Sequence, residues 1–535
     1  METENTDEKN NIESSQNGTE NVPFSTSVLV LGICSIVTCT CYGLPGLVCG
    51  IIALVQSKRG LTAYEENPSL YTTINIDHIT QLKKLVGDDH LTNDNDVLKE
   101  YGHDETESLN YPPEVLIKPS SVEEVSQVMS YASKHKIPVT PIGARTGLSG
   151  GALSVHGGIG ISMERFNKIL NIDEDNHQVV VEPGVITQEL QNAVAKKDLY
   201  YAPDPASRGS CFIGGNIAEN SGGPRALKYG VTKDFVLNLE VVLPNGEVIH
   251  TGANTLKNAT GYNLTQLMVG SEGTLGIVTK ATLKLLPLPK LNKLILVPFS
   301  SATDACKAVA SIFKAGVVPS ALEFMDRQAV DYTIKYIDDA HLEMKDEIAA
   351  LLLIEVDGNN SENLMQELQQ ILDVVEKHHC DEHILFAEDE AQKEQLWFIR
   401  RRIGEAVKVN SIYKEEDTVV PRFHLPELLS GVKKIGENYG FESICYGHAG
   451  DGNLHINILK GDLTDDQWEV ELPKAIREIF RLTVDLGGTI SGEHGIGWVQ
   501  KNYMDIPFSE VELNIMKGIK TVFDPYNIMN PSKIF

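Results

Sequence analysis

The sequence predicts an α+β protein, and three observations carry that prediction. Between residues 111 and 289, short strand-like runs alternate with short helical ones. Three glycine-rich turns, at 141–151, 203–223 and 270–278, interrupt the alternation. From about Lys290 the pattern changes to longer amphipathic helices and apolar strands such as 349–355. At 535 residues the chain holds two or three domains, and 42% apolar residues suffice for their cores.

In chain order, residues 1–27 are acidic and rich in Asn and Ser, a composition expected to be disordered. Residues 28–55 then carry no charge and end near Lys58-Arg59. That length can span a bilayer, so 28–56 is expected to be a membrane segment. Gly43, Pro45 and Gly46 interrupt it midway, which leaves one kinked span or a re-entrant hairpin open. For a single span, the basic flank puts the C-terminal bulk in the cytoplasm. The core C-T-C-Y-G-L-P-G-L resembles small cysteine-motif membrane proteins of bacteria. A linker with helices follows over 57–110.

Residues 114–118 read as a strand, and Ser121 with Glu124 as a capping box starting the next helix. A strand over 137–142 enters the first glycine turn, P-I-G-A-R-T-G-L-S-G-G, and another run follows at 158–163. Successive N–H groups in such a turn can cradle phosphate oxygens. No Gly-Lys-Ser/Thr follows it and no helix starts directly after it, so neither a Walker loop nor a dinucleotide fingerprint fits. Residues 178–182 form a strand and 187–195 a helix. Asn245-Gly246 joins 236–244 to 247–251 as a hairpin. Two glycine-rich loops in one domain suggest a ligand with two phosphates or an extended body.

The net charge of −28 argues against nucleic acid and anionic membrane surfaces as partners. The eight cysteines form no disulfide framework, and the absence of any C-x-x-C pair speaks against an iron–sulfur cluster.

Five strings in order carry a resemblance: T-G-L-S-G-G (146–151), C-F-I-G-G-N-I-A-E-N-S-G-G (211–223), G-S-E-G-T-L-G-I-V (270–278), G-H-A-G-D-G-N-L-H (447–455) and G-E-H-G-I-G (492–497). From about Ile79 to Phe535 the chain resembles the FAD-linked 2-hydroxyacid dehydrogenases, which have the vanillyl-alcohol-oxidase flavin fold. That group includes D-lactate dehydrogenase, the glycolate oxidase flavin subunit and D-2-hydroxyglutarate dehydrogenase. The resemblance implies a two-subdomain FAD-binding domain over 111–289, a substrate cap over 290–480, and a segment over 481–535 returning to the flavin. It implies FAD contacts at Pro141, Gly143, Ala144, Arg145, Thr146, Gly147 and Gly150, and at Pro203, Asp204 and Ser207. Further contacts are implied at Gly214, Gly215, Asn216, Asn220 and Gly223, then at Glu272, Gly273, Gly276, Ile277, Val278 and Asn530. Many relatives have Gly where this chain has Arg145, and Arg or Lys where it has Ile142. The first turn holds no His, so FAD is expected to be non-covalent.

Residues 397–402 read W-F-I-R-R-R. In relatives an Arg here and a Lys shortly after bind the substrate carboxylate, and Arg400 and Lys414 match best by position. A guanidinium suits a carboxylate. Gly404 stands where D-2-hydroxyglutarate enzymes carry Thr, which disfavours that substrate.

The segment 443–458 suggests a hairpin. With Asp451-Gly452 as a two-residue turn, His448 faces His455, with Cβ atoms about 5 Å apart. Both imidazoles can then reach one ion, with Glu493 as a further ligand and open positions for substrate. Zinc or manganese are the natural candidates, and iron also suits these ligands. The resemblance makes His494 the base. Without it, Glu493 serves equally as base and His494 as ligand.

The expected activity is therefore oxidation of a small D-2-hydroxy acid, D-lactate or glycolate, to the 2-oxo acid. Electrons pass to a quinone, cytochrome or other carrier, and a homodimer or partner subunit is compatible. Alternatives are a D-2-hydroxyglutarate dehydrogenase, a metal-dependent hydrolase of a phosphorylated substrate, and a catalytically silent FAD-binding module.

Overall fold

The computed structural model describes residues 73–535. The expected tail at 1–27 and membrane segment at 28–56 lie outside the described residues. Among the described residues no helix is long and apolar enough to cross a membrane. The expectation of a membrane-associated enzyme is corrected accordingly: no described helix supplies a membrane span.

Two sheets form the half of the fold that carries the glycine-rich turns. The first has four strands ordered Leu91–Thr92, Val115–Ile117, Ile159–Ser162, Val139–Ile142, with its last three parallel. The helix Val122–His135 covers it, burying Val125, Val128, Met129 and Ala132. These positions recur at helical spacing, so one stripe faces the sheet. Ser121 caps this helix, its hydroxyl accepting the Glu124 N–H at 3.2 Å. The Glu124 carboxylate bonds the Ser120 N–H, so the reciprocal half of the expected box moves by one residue.

The second sheet has five antiparallel strands ordered Ile169–Asp173, Gln178–Val181, Ile277–Lys284, Val236–Val242, Val248–His250. The last two form the expected hairpin, with Val242 opposite Val248. Gly246 takes φ +89°, as the tight turn requires. The second glycine segment holds a helix, Ile213–Glu219, that the sequence reading missed. Its G-G pair and turn-formers masked seven residues of helix.

The remaining half is a seven-stranded antiparallel sheet ordered Leu385–Phe386, Leu291–Phe299, Ala350–Gly358, Ala321–Asp326, Glu442–Gly447, Asn453–Leu459, Tyr413–Val419. Helices cover both faces, so the strand Ala350–Gly358 is buried along nearly all its length. One face packs on Ala302–Lys314, Ser361–Lys377, Leu425–Tyr439 and Leu472–Asp485, and the other on Arg327–Tyr336 and Glu390–Asn410. The chain end returns to the first half: Met529 bridges Val139, and Asn530 N–H donates to the Val139 carbonyl at 2.7 Å.

Candidate active site

Three glycine turns meet at one cavity. Pro141, Gly143, Ala144, Arg145, Thr146, Gly147, Ser207, Gly214, Gly215, Asn216, Glu272, Gly273, Gly276, Ile277 and Val278 line it. Glu493 and His494 line it as well. A Cβ added at Gly147 or Gly215 would meet no protein atom within 4 Å, so it would stand in the cavity. At Gly273, with φ +65°, a Cβ would sit 2.5 Å from Pro141 Cγ. Glycine is required there by both conformation and space. This cradle, open along its glycines, fits an extended cofactor with phosphates. Arg145 adopts φ 61° and lies 4.3 Å over the Tyr101 ring. That left-handed backbone is one that glycine adopts with less strain than arginine.

The other six expected cofactor residues stand behind the cavity wall. The Gly150 carbonyl accepts from Lys533 Nζ at 2.6 Å, and Asn530 Nδ2 donates to the Gly151 and Glu272 carbonyls at 3.0 and 2.8 Å. Asn220 ends its helix at φ 55°, and its side chain accepts the Lys233 N–H. A Cβ on Gly223 would strike the Asp204 carbonyl. Asp204 pairs with Arg208, and the Pro203 carbonyl accepts from Gln191 at 2.9 Å.

The histidines come from the expected hairpin, in a different register. Tyr446 pairs with His455, so the loop runs through five residues, 448–452, rather than two. Gly447 and Gly452 shape that loop, and Gly452 has φ +88°. His448 stands at the loop's start, yet its ring still meets His455, centroids 5.5 Å apart.

The His448 Nδ1 faces the buried Glu323 carboxylate at 2.9 Å, which leaves Nε2 pointing at Glu493 Oε1, 3.2 Å away. His455 Nε2 is 3.6 Å from the same oxygen. One nitrogen of each and one Glu493 oxygen lie within 4.8 Å of one another. Two imidazoles, a carboxylate and an outer carboxylate fixing one ring suit a divalent cation. A second group, Glu415, His455 and His494, meets the same spacing.

The loop carrying Glu493 and His494 is held by Asp417, which the sequence reading missed. Its fully buried carboxylate accepts N–H groups of Gly492, Glu493 and His494 at 2.8, 2.7 and 3.0 Å. Glu272 accepts those of Ile496 and Gly497 at 2.8 and 2.6 Å. Asp417 lies in no local motif, and only cross-strand pairing with His455 reveals it. His494 stacks on His455, centroids 5.2 Å apart and planes 16° apart.

Burial opposes charge on every group here, and the partners decide the outcome. Glu323 and Glu493 overcome burial and hold His448 well above its ordinary value. His448 and His455 bring Glu493 down to about 2. Burial, with the His494 charge, pushes His455 down to about 3. Asp417, Glu415 and Glu493 overcome burial and raise His494.

Arg400, on the helix Glu390–Asn410, is buried, with Nη2 2.7 Å from Glu323 Oε2, and its Nε has no hydrogen-bond partner. Lys414 is not brought to the site, and this corrects its expected placement. Strand alternation puts it opposite Ile458 on the far face, 5.4 Å over the Trp468 ring. Glu415 takes the position facing the histidines, 3.5 Å from His455 Nδ1.

With this geometry established, comparison with known proteins is direct. Residues 113–252 match a family described as FAD binding domain, and 288–534 match FAD linked oxidases, C-terminal domain. D-lactate dehydrogenase of Anaerostipes hadrus is 38% identical over 85% of this chain and 95% of its own. Glycolate oxidase subunit GlcD of Bacillus subtilis (strain 168) is 38% identical over 85% and 96%. D-2-hydroxyglutarate dehydrogenase of Stutzerimonas stutzeri (strain A1501) is 35% identical over 85% and 98%. In fold the chain is similar to p-cresol methylhydroxylase, with TM-score 0.70 and 17% identity, over 85% of this chain and 96% of that one. The 4-ethylphenol oxidase from Gulosibacter chungangensis gives 0.68 at 19% identity, over the same shares. Similarity this extensive, in sequence as in fold, makes the chain a member of the FAD-linked oxidase family.

Proposed function

We propose that this protein oxidises a small D-2-hydroxy acid, such as D-lactate or glycolate, to the 2-oxo acid with FAD. One observation carries the reading: His494 lines the cavity built from the flavin-loop glycines and also stacks on His455. A proton acceptor thus stands between a cofactor cradle and a cation-type ligand set. The three relatives reported above are named for this class of chemistry.

The glycines of 143–147, 214–215 and 273–276 hold FAD. The first turn contains no His, so the cofactor is non-covalent. When bound, FAD supplies the hydride acceptor for the α-carbon. His448, His455 and Glu493 would hold a divalent cation, zinc or manganese, which would supply Lewis-acid chemistry beside the substrate hydroxyl. This ligand set is preferred over Glu415, His455 and His494 because Glu323 fixes His448 with Nε2 toward Glu493. It also leaves His494 free to take the hydroxyl proton at an imidazole nitrogen. Asp417 fixes the backbone of that loop and stabilises the imidazolium formed. Arg400 orients the substrate carboxylate through its unpartnered Nε. A quinone, cytochrome or other carrier is the electron acceptor.

Anaerobic flavin absorbance, titrated with D-lactate, L-lactate, glycolate and D-2-hydroxyglutarate, tests this. A D-hydroxy acid or glycolate bleaches the yellow protein. In His494→Ala the flavin and cation are retained, and reduction slows by about 10²-fold or more. A yellow protein that none of them bleaches would overturn the reaction class. Unchanged reduction in His494→Ala would remove that residue from the proton step.

A further inference from the structure

The carboxylate-binding lysine expected beside Arg400 is absent from the site face, and an acceptor-rich wall stands in its place. Pleating sends Tyr413, Glu415 and Asp417 to one face of their strand, opposite Leu459, Asn457 and His455 respectively. Glu415 therefore sits between the histidines and Tyr413. Its neighbour Asn457 is fully buried; its amide N–H group faces the Tyr446 hydroxyl, and its amide oxygen finds no hydrogen-bond partner in the protein. His455 Nδ1, which faces Glu415, also lacks one. Buried polar atoms without partners are rare in native structures and point to an occupant.

A second element closes this end from the flavin side. Glu105 N–H donates to the Gly147 carbonyl at 3.0 Å, and Thr106 Oγ1 accepts the Gly150 N–H at 2.8 Å. That anchoring carries Glu107 across to the cap, where it faces Tyr413 and lies within electrostatic reach of Glu415, Lys414 and Lys408. The neighbouring cations are only partly engaged, since Lys414 and Lys408 act on Glu107 and Arg400 acts on Glu415. Lys408 pairs with Glu105, Arg400 pairs with Glu323, and Lys414 lies on the far face.

We propose that Glu415, Asn457, Tyr413 and Glu107 form a subsite for the substrate's tail that takes a hydrogen-bond donor, a hydroxyl or an ammonium, and excludes a second carboxylate. This rests on the hydroxy-acid reading above and deepens it. Arg400 takes the carboxylate next to the reacting carbon, and the tail runs toward the strand. A donor there satisfies Glu415 and the Asn457 amide oxygen. An anionic tail meets two carboxyl groups and leaves those acceptors unpaired, a combination that discriminates strongly.

The test is anaerobic flavin reduction of the holoenzyme by four D-2-hydroxy acids differing only in the tail: D-lactate (apolar), D-glycerate (hydroxyl), D-4-amino-2-hydroxybutyrate (ammonium) and D-2-hydroxyglutarate (carboxylate). At least one donor-tailed acid reduces the flavin about tenfold more efficiently than D-lactate, and D-2-hydroxyglutarate is the slowest. Which donor-tailed acid leads distinguishes the two sources of the donor. Glu415→Gln narrows the carboxylate penalty about tenfold, and Asn457→Ala shrinks the donor preference. Reduction by D-lactate with a flat ranking, or with D-2-hydroxyglutarate ahead, would overturn the subsite while leaving the reaction class intact. Reduction by none of the four would instead overturn the reaction class. The wild-type ranking decides even where a variant fails to fold.

Discussion

Glu416 and Asp417 are consecutive residues, both buried, and they resolve that burial in opposite ways. Asp417 collects three backbone N–H groups, the Ser491 hydroxyl and the Asn453 amide. Those donors, with His494 and His455, overcome burial and hold its carboxyl well below the usual range. Glu416 points the other way and accepts from Gln500 at 3.2 Å. Burial dominates there and pushes it up to about 8 from an ordinary 4.5. The unfolded chain releases this proton near 4.5, and the folded chain keeps it until about 8. Stability from this residue is therefore complete below 4.5 and is lost as pH rises through about 8. Glu416→Gln removes the ionisation, and the wild type loses on the order of a few kcal/mol that the variant keeps. Thermal unfolding from pH 5 to 8 checks this: the gap in melting temperature widens with pH in favour of the variant. Parallel curves would show that Glu416 does not carry the effect.

At the scale of an element, the hairpin 442–459 shows what sequence reading reaches. The strands and the meeting of two histidines were legible, because alternating apolar residues and G-D-G are local signals. The register was not. Asp451-Gly452 has the chemistry of a two-residue turn, but the Gly452 Cβ position is filled by the Val420 carbonyl, so the neighbouring strand holds the loop open. Lys414 failed for the same reason: one residue of register separates it from Glu415, and that step exchanges faces. Glu323 and Asp417 carried no local signal, because their partners lie 125 and about 76 residues away. The glycine turns were legible as turns because glycine is a local signal, although the helix Ile213–Glu219 inside the second segment was not. Gly452→Ala is accordingly severe: it meets the Val420 carbonyl and a left-handed backbone together. Gly461→Ala at φ +47° meets nothing within 4 Å and costs about 1 kcal/mol. Denaturation of both variants checks this, with Gly452→Ala losing several times more stability. Equal losses would mean that the loop yields.

At the scale of the molecule, one short helix ties the flavin-side half to the cap sheet. Arg225 reaches Glu355 at 2.6 Å and Ser320 at 3.0 Å, while Lys228 and Tyr229 reach Asp357 at 2.6 and 2.9 Å. Trp397 Nε1 donates to the other Glu355 oxygen at 2.8 Å. Glu355 is buried in the middle of the sheet, so loss of Arg225 strands a carboxylate without its ion pair. Arg225→Ala is expected to cost about 3–5 kcal/mol, and Arg225→Met with Glu355→Leu to recover most of it. Denaturant unfolding measures both, and a double variant as weak as the single one would refute the ion-pair account.

The return of the chain end has a consequence for synthesis. Asn530 and Lys533 fasten the carbonyls of Gly150, Gly151, Leu153 and Glu272, the backs of two cofactor turns. Those turns leave the ribosome long before the residues that brace them. A nascent chain carries the whole glycine signature and still lacks the clasp behind it. A chain cut ahead of Asn530 keeps every glycine turn and loses the braces behind two of them.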